Sequence, residues 1–194
     1  SLVITVNAGS YPRLNIASPE GPDISENIDV RIIVVAESVP ENAESVGYTV
    51  KFKEHKVACC TDLGYVTEEV RENLLGCDTA YIEANYDPKL LSVNPKYPPY
   101  LKARISGSSG HLSNLNSAEF CTELVESGAR RLILGHLSQE NNTPKIAYDA
   151  VELKLSGCGM KCGVDYTLDV APVVTQGKYI INNRLICTAF SAWW

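Results

Sequence analysis

The sequence predicts a mixed α/β domain, and three observations carry that expectation. Short apolar or alternating runs, the pattern of buried and half-buried strands, recur along most of the chain. From residue 67 onward these runs alternate with amphipathic stretches of helical period, several of which open on a capping residue. Of 194 residues, 45% are hydrophobic and 21% charged, which is ordinary for a globular chain and enough for one domain with a proper core. Strands cluster in the first third and alternate with helices afterwards. The sheet should therefore be partly antiparallel and partly covered by helices.

The elements follow in order. Residues 2–6 alternate as a strand, and residues 7–12 make a turn that opens onto a short helix. Residues 17–27 hold two prolines and a glycine close together and read as loop. Strands are expected at 28–35, 48–52 and 57–60, with Glu54, His55 and Lys56 as the turn between the last two. Thr67 caps a helix whose first turn carries Glu68 and Glu69. A short strand at 79–83 follows, and then residues 92–100, whose three prolines make a stiff loop. Residues 101–105 form a helical turn. The amphipathic stretch 116–126 is a helix capped by Asn114 or Asn116, and 131–135 is a buried strand ended by Gly135. Pro144 stands at the first position of the next helix, where its missing amide costs nothing. A last strand lies at 166–171, and the apolar tail beyond Gly177 has no assigned role.

The net charge of −6 gives no general attraction to nucleic acid, so any such binding needs a local basic groove or a metal. No apolar run approaches the eighteen residues of a membrane span. The first residues lack the layout of a signal peptide, and Ser1 in place of Met suggests a start further upstream. Seven cysteines, several inside apolar or helical patterns, read as reduced structural thiols of a cytoplasmic protein. Cys158 and Cys162 have no second pair and give only a weak zinc signal.

The chemistry must come from few groups. The three histidines are His55, His111 and His136. His55 lies among charged residues in the expected turn and reads as solvated. His111 follows a Ser/Gly-rich loop and precedes a helix, so it is either a helix-start hydrogen-bonding residue or an active-site residue. His136 stands just past the apolar run 132–134, followed by the polar string 138–142. It either pins that loop or serves as a ligand at a strand tip, where layered folds keep their reactive groups. Asp62 ends a second strand of the same grammar and either caps the turn at Gly64 or binds a metal beside His136. Asn85 and Asp87, at the strand end between them, would orient such ligands. Serine-hydrolase, phosphate-loop and dinucleotide-loop signatures are absent.

The order of several uncommon words across residues 46–150 resembles the WalJ/YycJ-type branch of the metallo-β-lactamase fold. They are Thr61-Asp62-Leu-Gly-Tyr-Val66, Ile82-Glu-Ala-Asn85-Tyr-Asp87, Tyr97-Pro98 with Leu101-Lys-Ala-Arg104-Ile105, Gly110-His111-Leu-Ser113-Asn114, and Leu134-Gly-His136-Leu-Ser-Gln-Glu-Asn-Asn142. The resemblance implies an αββα sandwich and a metal-dependent hydrolase, in a branch associated with exonuclease action on DNA. It implies two divalent ions, zinc or manganese, in the intact site. Asp62 matches the carboxylate that typically bridges the metals, and His136 the last histidine ligand. His111, Ser113 and Asn114 match a word placed near the substrate.

The chain also departs from that pattern. The family's His-x-His-x-Asp-His word is nowhere in it, and residues 2–14 resemble the strand and helix that follow that word. The expectation is one domain over residues 1–194, truncated at its N-terminus, with an apolar sheet face left uncovered. Glu41 stands where a His-Asp-Ala word is expected and offers an oxygen in place of an imidazole. Tyr86 replaces the histidine of an Asn-His-Asp word. Two ligands, or three with Glu41, fall short of the five or more of a two-metal site, so weak metal binding and negligible activity are expected of this chain alone. Two functions stand against each other: part of a metal-dependent DNA phosphodiesterase or exonuclease, and a degenerate relative acting as a binding or regulatory module.

Overall fold

The computed structural model describes residues 2–8, 13–17, 28–34, 46–171, 179–181 and 185–191. Its main feature is a six-stranded sheet in the order β3-β4-β5-β6-β7-β8. β3 (Ile28–Val34), β4 (Val46–Phe52) and β5 (His55–Cys60) run antiparallel. β6 (Thr79–Glu83), β7 (Arg131–Gly135) and β8 (Thr167–Val170) then add in parallel to β5. A parallel ladder needs a crossover between successive strands, and the intervening sequence supplies helices for it. α1 (Glu68–Leu74) lies between β5 and β6, α4 (Asn114–Glu126) between β6 and β7, and α5 (Pro144–Gly157) between β7 and β8.

Each of these helices starts where its sequence provides a cap. Thr67 Oγ1 accepts from Val70 N at 3.1 Å, Ser113 Oγ from Asn116 N at 3.2 Å, and Thr143 Oγ1 from Ile146 N at 3.2 Å. The cap of α4 is thus Ser113 rather than Asn114 or Asn116, because Asn114 already lies in the first helical turn with its side chain turned to Asn142. α2 (Pro88–Val93) and α3 (Pro99–Ile105) frame residues 94–98. The stiff loop expected over 92–100 is therefore shorter, since Pro99 starts a helix rather than breaking one.

The core on the helical side joins alternate strand residues to the helices. Ala80, Ile82, Leu132 and Leu134 from the sheet pack with Val70, Leu74, Phe120, Leu124, Val151 and Leu155. Burying a side chain of this size contributes roughly 1.5–3 kcal/mol. The opposite strand face is buried as well: Val57, Cys59, Tyr81 and Ile133 are 5%, 6%, 2% and 1% exposed. The uncovered apolar face expected from the sequence is not found at these positions.

A second sheet, in the order β2-β1-β10-β9, is built from the two ends of the chain. β1 (Leu2–Ala8) pairs parallel with β10 (Leu185–Ser191) and antiparallel with β2 (Arg13–Ala17), while β9 (Tyr179–Ile181) pairs with β10. The short helix expected after the first turn is a strand instead. Arg13, Leu14, Asn15 and Ile16 alternate with period two, and pairing with β1 wins over the local turn signal. His55 opens β5 rather than sitting in the turn, which is the two-residue loop Lys53-Glu54 with Lys53 at φ 53°.

Candidate metal centre

The strand pairing brings three carboxyl ends together. Cys60 of β5 lies opposite Ile82 of β6, which lies opposite Leu134 of β7. One or two residues further, Asp62, Glu83 and His136 emerge at the same end of the sheet, where α/β folds bind ligands. His111 arrives from the loop between α3 and α4. Its backbone N–H donates to Ile105 O at 2.9 Å, tying it to the end of α3. A Cβ on Gly110 would overlap that same carbonyl, so only glycine fits there.

These four side chains form a single cluster: each offers a ligand atom, and those atoms all lie within 4.8 Å of one another. Glu83 sits at its centre. The carboxylate is fully buried and accepts at both oxygens. Oε1 takes His111 Nδ1 at 2.7 Å and His136 Nδ1 at 2.6 Å, and Oε2 takes Leu63 N at 2.7 Å and Leu112 N at 3.3 Å. Burial alone would raise the Glu83 pKa. The hydrogen bonds and charge of the two histidines outweigh it and hold the group at about 2. For His136 burial works against the charged ring, but the Glu83 hydrogen bond and the Glu83 and Asp62 charges carry it from 6.5 to about 9.

An ionised carboxylate only accepts, so both Nδ1 atoms must donate to it. The Nε2 atoms are left for other work. His136 Nε2 lies 3.7 Å from Asp62 Oδ1, and the two imidazole centroids are 5.2 Å apart and tilted by 51°.

Both strand tips are held in unusual backbone. Asp62 has φ 60° and His136 φ 55°, the left-handed region that only a few non-glycine residues enter. A polar belt holds the second tip there. Asn85 Nδ2 donates to His136 O at 2.7 Å, Ser138 N to Asn85 O at 2.8 Å, and Asn142 Nδ2 to Ala84 O at 2.8 Å. Asn114 and Asn142 bond each other side chain to side chain at 2.8 and 3.0 Å. At the first tip, a Cβ on Gly64 would overlap the Ser108 carbonyl, so this loop can approach the 107–110 loop only as glycine.

Asp62, His111, His136 and Asn85 line one cleft of about 350 Å³, together with Tyr97, Leu101 and Arg104. Ser113, Asn114 and Asp87 hold the frame: Ser113 caps α4, Asn114 anchors the belt, and Asp87 caps α2 by accepting from Leu90 N at 2.8 Å. Glu41 lies outside the described residues. Sequence reading passed over Glu83, although a carboxylate ending an apolar strand and followed by Ala84 was its signal.

The beta-lactamase superfamily domain model matches residues 13–137, a span that contains all four residues of the cluster. The chain belongs to that family. Among curated relatives of this superfamily member, the exodeoxyribonuclease WalJ of Streptococcus pneumoniae (strain D39) is 34% identical over 113 residues, 58% of this chain and 42% of that protein. The exodeoxyribonuclease YycJ of Bacillus anthracis is 29% identical over 140 residues, 71% of this chain and 53% of that protein. The chain spans about half the length of the curated relatives it matches. Among solved structures, the metallo-β-lactamase fold protein YhfI from Bacillus subtilis superposes with a TM-score of 0.52 at 15% identity, over 80% of this chain and 51% of that one. The mixed α/β architecture is thus that of the metallo-β-lactamase fold.

The donor set fits a divalent cation. The Asp62 carboxylate and the imidazoles are ligand types that divalent metals take. The carboxylate behind the rings is the usual outer partner of a metal-binding histidine. The sequence offered two ligands, or three with Glu41; the structure gathers four candidate groups without it. Among the described residues, no helix is long and apolar enough to cross a membrane.

Proposed function

We propose that this chain carries the reaction face of a metal-dependent phosphodiester hydrolase that acts on DNA as an exonuclease, in one domain spanning residues 1–194. The observation that carries the reading is the convergence of Asp62, His111 and His136 around the buried Glu83 at one wall of an open cleft. The exodeoxyribonuclease names of the curated relatives supply the substrate class. Free buried thiols at Cys59, Cys60, Cys77 and Cys121 fit a reducing, cytoplasmic setting.

Asp62 Oδ1 and His136 Nε2 would hold the ion, zinc or manganese, with a second ion in the complete site. A bound divalent ion supplies a Lewis acid for a phosphoryl oxygen and lowers the pKa of water. The chain's own residues do the rest. Glu83 holds the Nδ1 proton of both imidazoles, so His136 would bind the ion through Nε2 on giving up the proton that nitrogen carries in the metal-free chain. His111, held by the same oxygen at Nδ1, lines the cleft, and its doubly protonated form would hand the Nε2 proton to the departing oxygen and return to the neutral ring with Nδ1–H on Glu83. Asn85 grips the His136 carbonyl and keeps its ring over Asp62.

The test is metal content after zinc or manganese loading and desalting, followed by hydrolysis of labelled single- and double-stranded DNA. Near-stoichiometric metal that is lost in Asp62→Ala and in His136→Ala is the expected result. A folded chain that retains no metal sinks the hydrolase reading and leaves the binding-module alternative.

A further inference from the structure

The cleft lining beyond the cluster has its own chemistry. It includes Tyr97 and, from α3, Leu101, Arg104 and Ile105. Arg104 differs from the other arginines whose side chains the structure describes. Arg71 pairs with Glu123 at 2.6 Å, Arg130 donates to Asp165 O at 2.7 Å, and Arg131 pairs with Asp169 at 3.1 Å. Among the described residues the Arg104 guanidinium has no hydrogen bond or ion pair, and it is the one arginine or lysine of the cleft lining. Arg104 is exposed, while Glu83 and His136 are buried at the sheet end.

Tyr97 is built in rather than loosely attached. The loop that carries it is clasped to the loop after β7 at two points. The buried Asn94 Nδ2 donates to Asn141 Oδ1 at 2.7 Å, and Lys96 Nζ pairs with Glu140 at 2.8 Å. Asn94 Oδ1 also accepts from Lys96 N at 2.8 Å, which fixes the turn. The half-buried ring thus borders the same hollow as His136 and Ser138.

We infer that Arg104 and Tyr97 form a clamp for a single strand: Arg104 takes the phosphate next to the one being cleaved, and Tyr97 stacks on the adjoining base. The inference rests on the phosphodiesterase reading of the cluster and names how that site holds its substrate. A chain of charge −6 repels nucleic acid at long range, so an unpaired guanidinium in the cleft lining supplies, beside a bound metal, the local attraction that phosphate needs. Guanidinium forks match phosphate oxygens two at a time. Aromatic faces accept any base, which suits an enzyme that works along a strand without reading it. A cleft of about 350 Å³ is at the small end of ligand sites and suits one nucleotide at a time.

The experiment is fluorescence anisotropy of a short single-stranded oligonucleotide with the metal-loaded chain, titrated at several salt concentrations. Arg104→Gln should weaken binding about tenfold and reduce the slope of log affinity against log salt by about 0.7, the share of one phosphate on a single strand. Tyr97→Leu should weaken it about tenfold or more with the slope unchanged. Lys154→Gln removes an exposed charge on α5, away from the cleft, and should match wild type. If wild type binds and Arg104→Gln keeps its affinity and slope, or Lys154→Gln falls equally, the clamp is overturned while the phosphodiesterase reading stands. If wild type binds no DNA, the reading of the site fails first.

Discussion

The strongest demand on the site falls on Glu83. Removing its carboxylate with Glu83→Ala leaves two imidazoles and the Leu63 and Leu112 amides without their acceptor, and of these only His111 reaches solvent. Breaking a buried pair from one side costs about 3–5 kcal/mol, and the stranded amides keep the loss near the top of that range. Glu83→Gln is the more informative change because it preserves volume. If the amide oxygen stays on the histidines, its NH₂ faces the two backbone donors. If it flips, both rings must move their proton from Nδ1 to Nε2, and His136 then points an N–H where a metal should bind. Either arrangement should cost about 2–3 kcal/mol and lower metal affinity roughly 10- to 100-fold. Urea unfolding of the metal-free chain at fixed m-value measures the first, and competition with a chelating dye the second. A Glu83→Gln chain with wild-type stability and wild-type metal affinity would refute the central role given to this carboxylate.

Two further outcomes follow from the same geometry. In the metal-free chain the Glu83–His136 interaction should give a stability plateau between about pH 4.5 and 6.5. Below it, protonation of Glu83 removes the contribution as pH falls from 4.5 through its folded value of about 2. Above it, deprotonation of His136 removes it as pH rises from 6.5 through about 9. Urea midpoints across pH check this, and a midpoint still rising from pH 7 to 9 would contradict it. Gly64→Ala places a Cβ against the backbone of Ser108, which no side-chain rotation relieves. It should cost about 1–3 kcal/mol and reduce metal affinity more than stability, since the residue two positions away is Asp62; equal affinity at lowered stability would argue that the tip moves as a unit.

The sequence made much of this readable, and the exceptions have physical causes. Apolar runs ending at Asp62 and His136 marked the two strand tips, and Thr67 and Pro144 marked helix starts, because each signal is local. Glu83 was missed because its meaning is not local. It becomes central only when β6 is placed between β5 and β7 so that its last residue meets both neighbouring tips. Strand order of that kind is settled by crossovers some twenty to fifty residues apart, beyond the reach of periodicity. α2 was passed over although Asp87-Pro88 has the same grammar as Thr143-Pro144. With only six residues it offers too little amphipathic pattern to stand out from the prolines that follow.

The left-handed backbone at Asp62 and His136 joins the fold to the chemistry. Leaving such residues in this region costs of order 1–3 kcal/mol each, so the surroundings must compensate. At His136 the compensation is visible: Asn85 holds its carbonyl, Glu83 its ring, and the Asn114–Asn142 pair the loop beyond it. At Asp62 the next residue's amide is bound by the same Glu83. One buried carboxylate therefore fixes the ring of one proposed ligand and the backbone of the other. That coupling holds His136 Nε2 and Asp62 Oδ1 3.7 Å apart. A site arranged in this way gives up little ordering entropy on binding. This explains why polar groups that would be costly in an apolar core are concentrated where three strands end together.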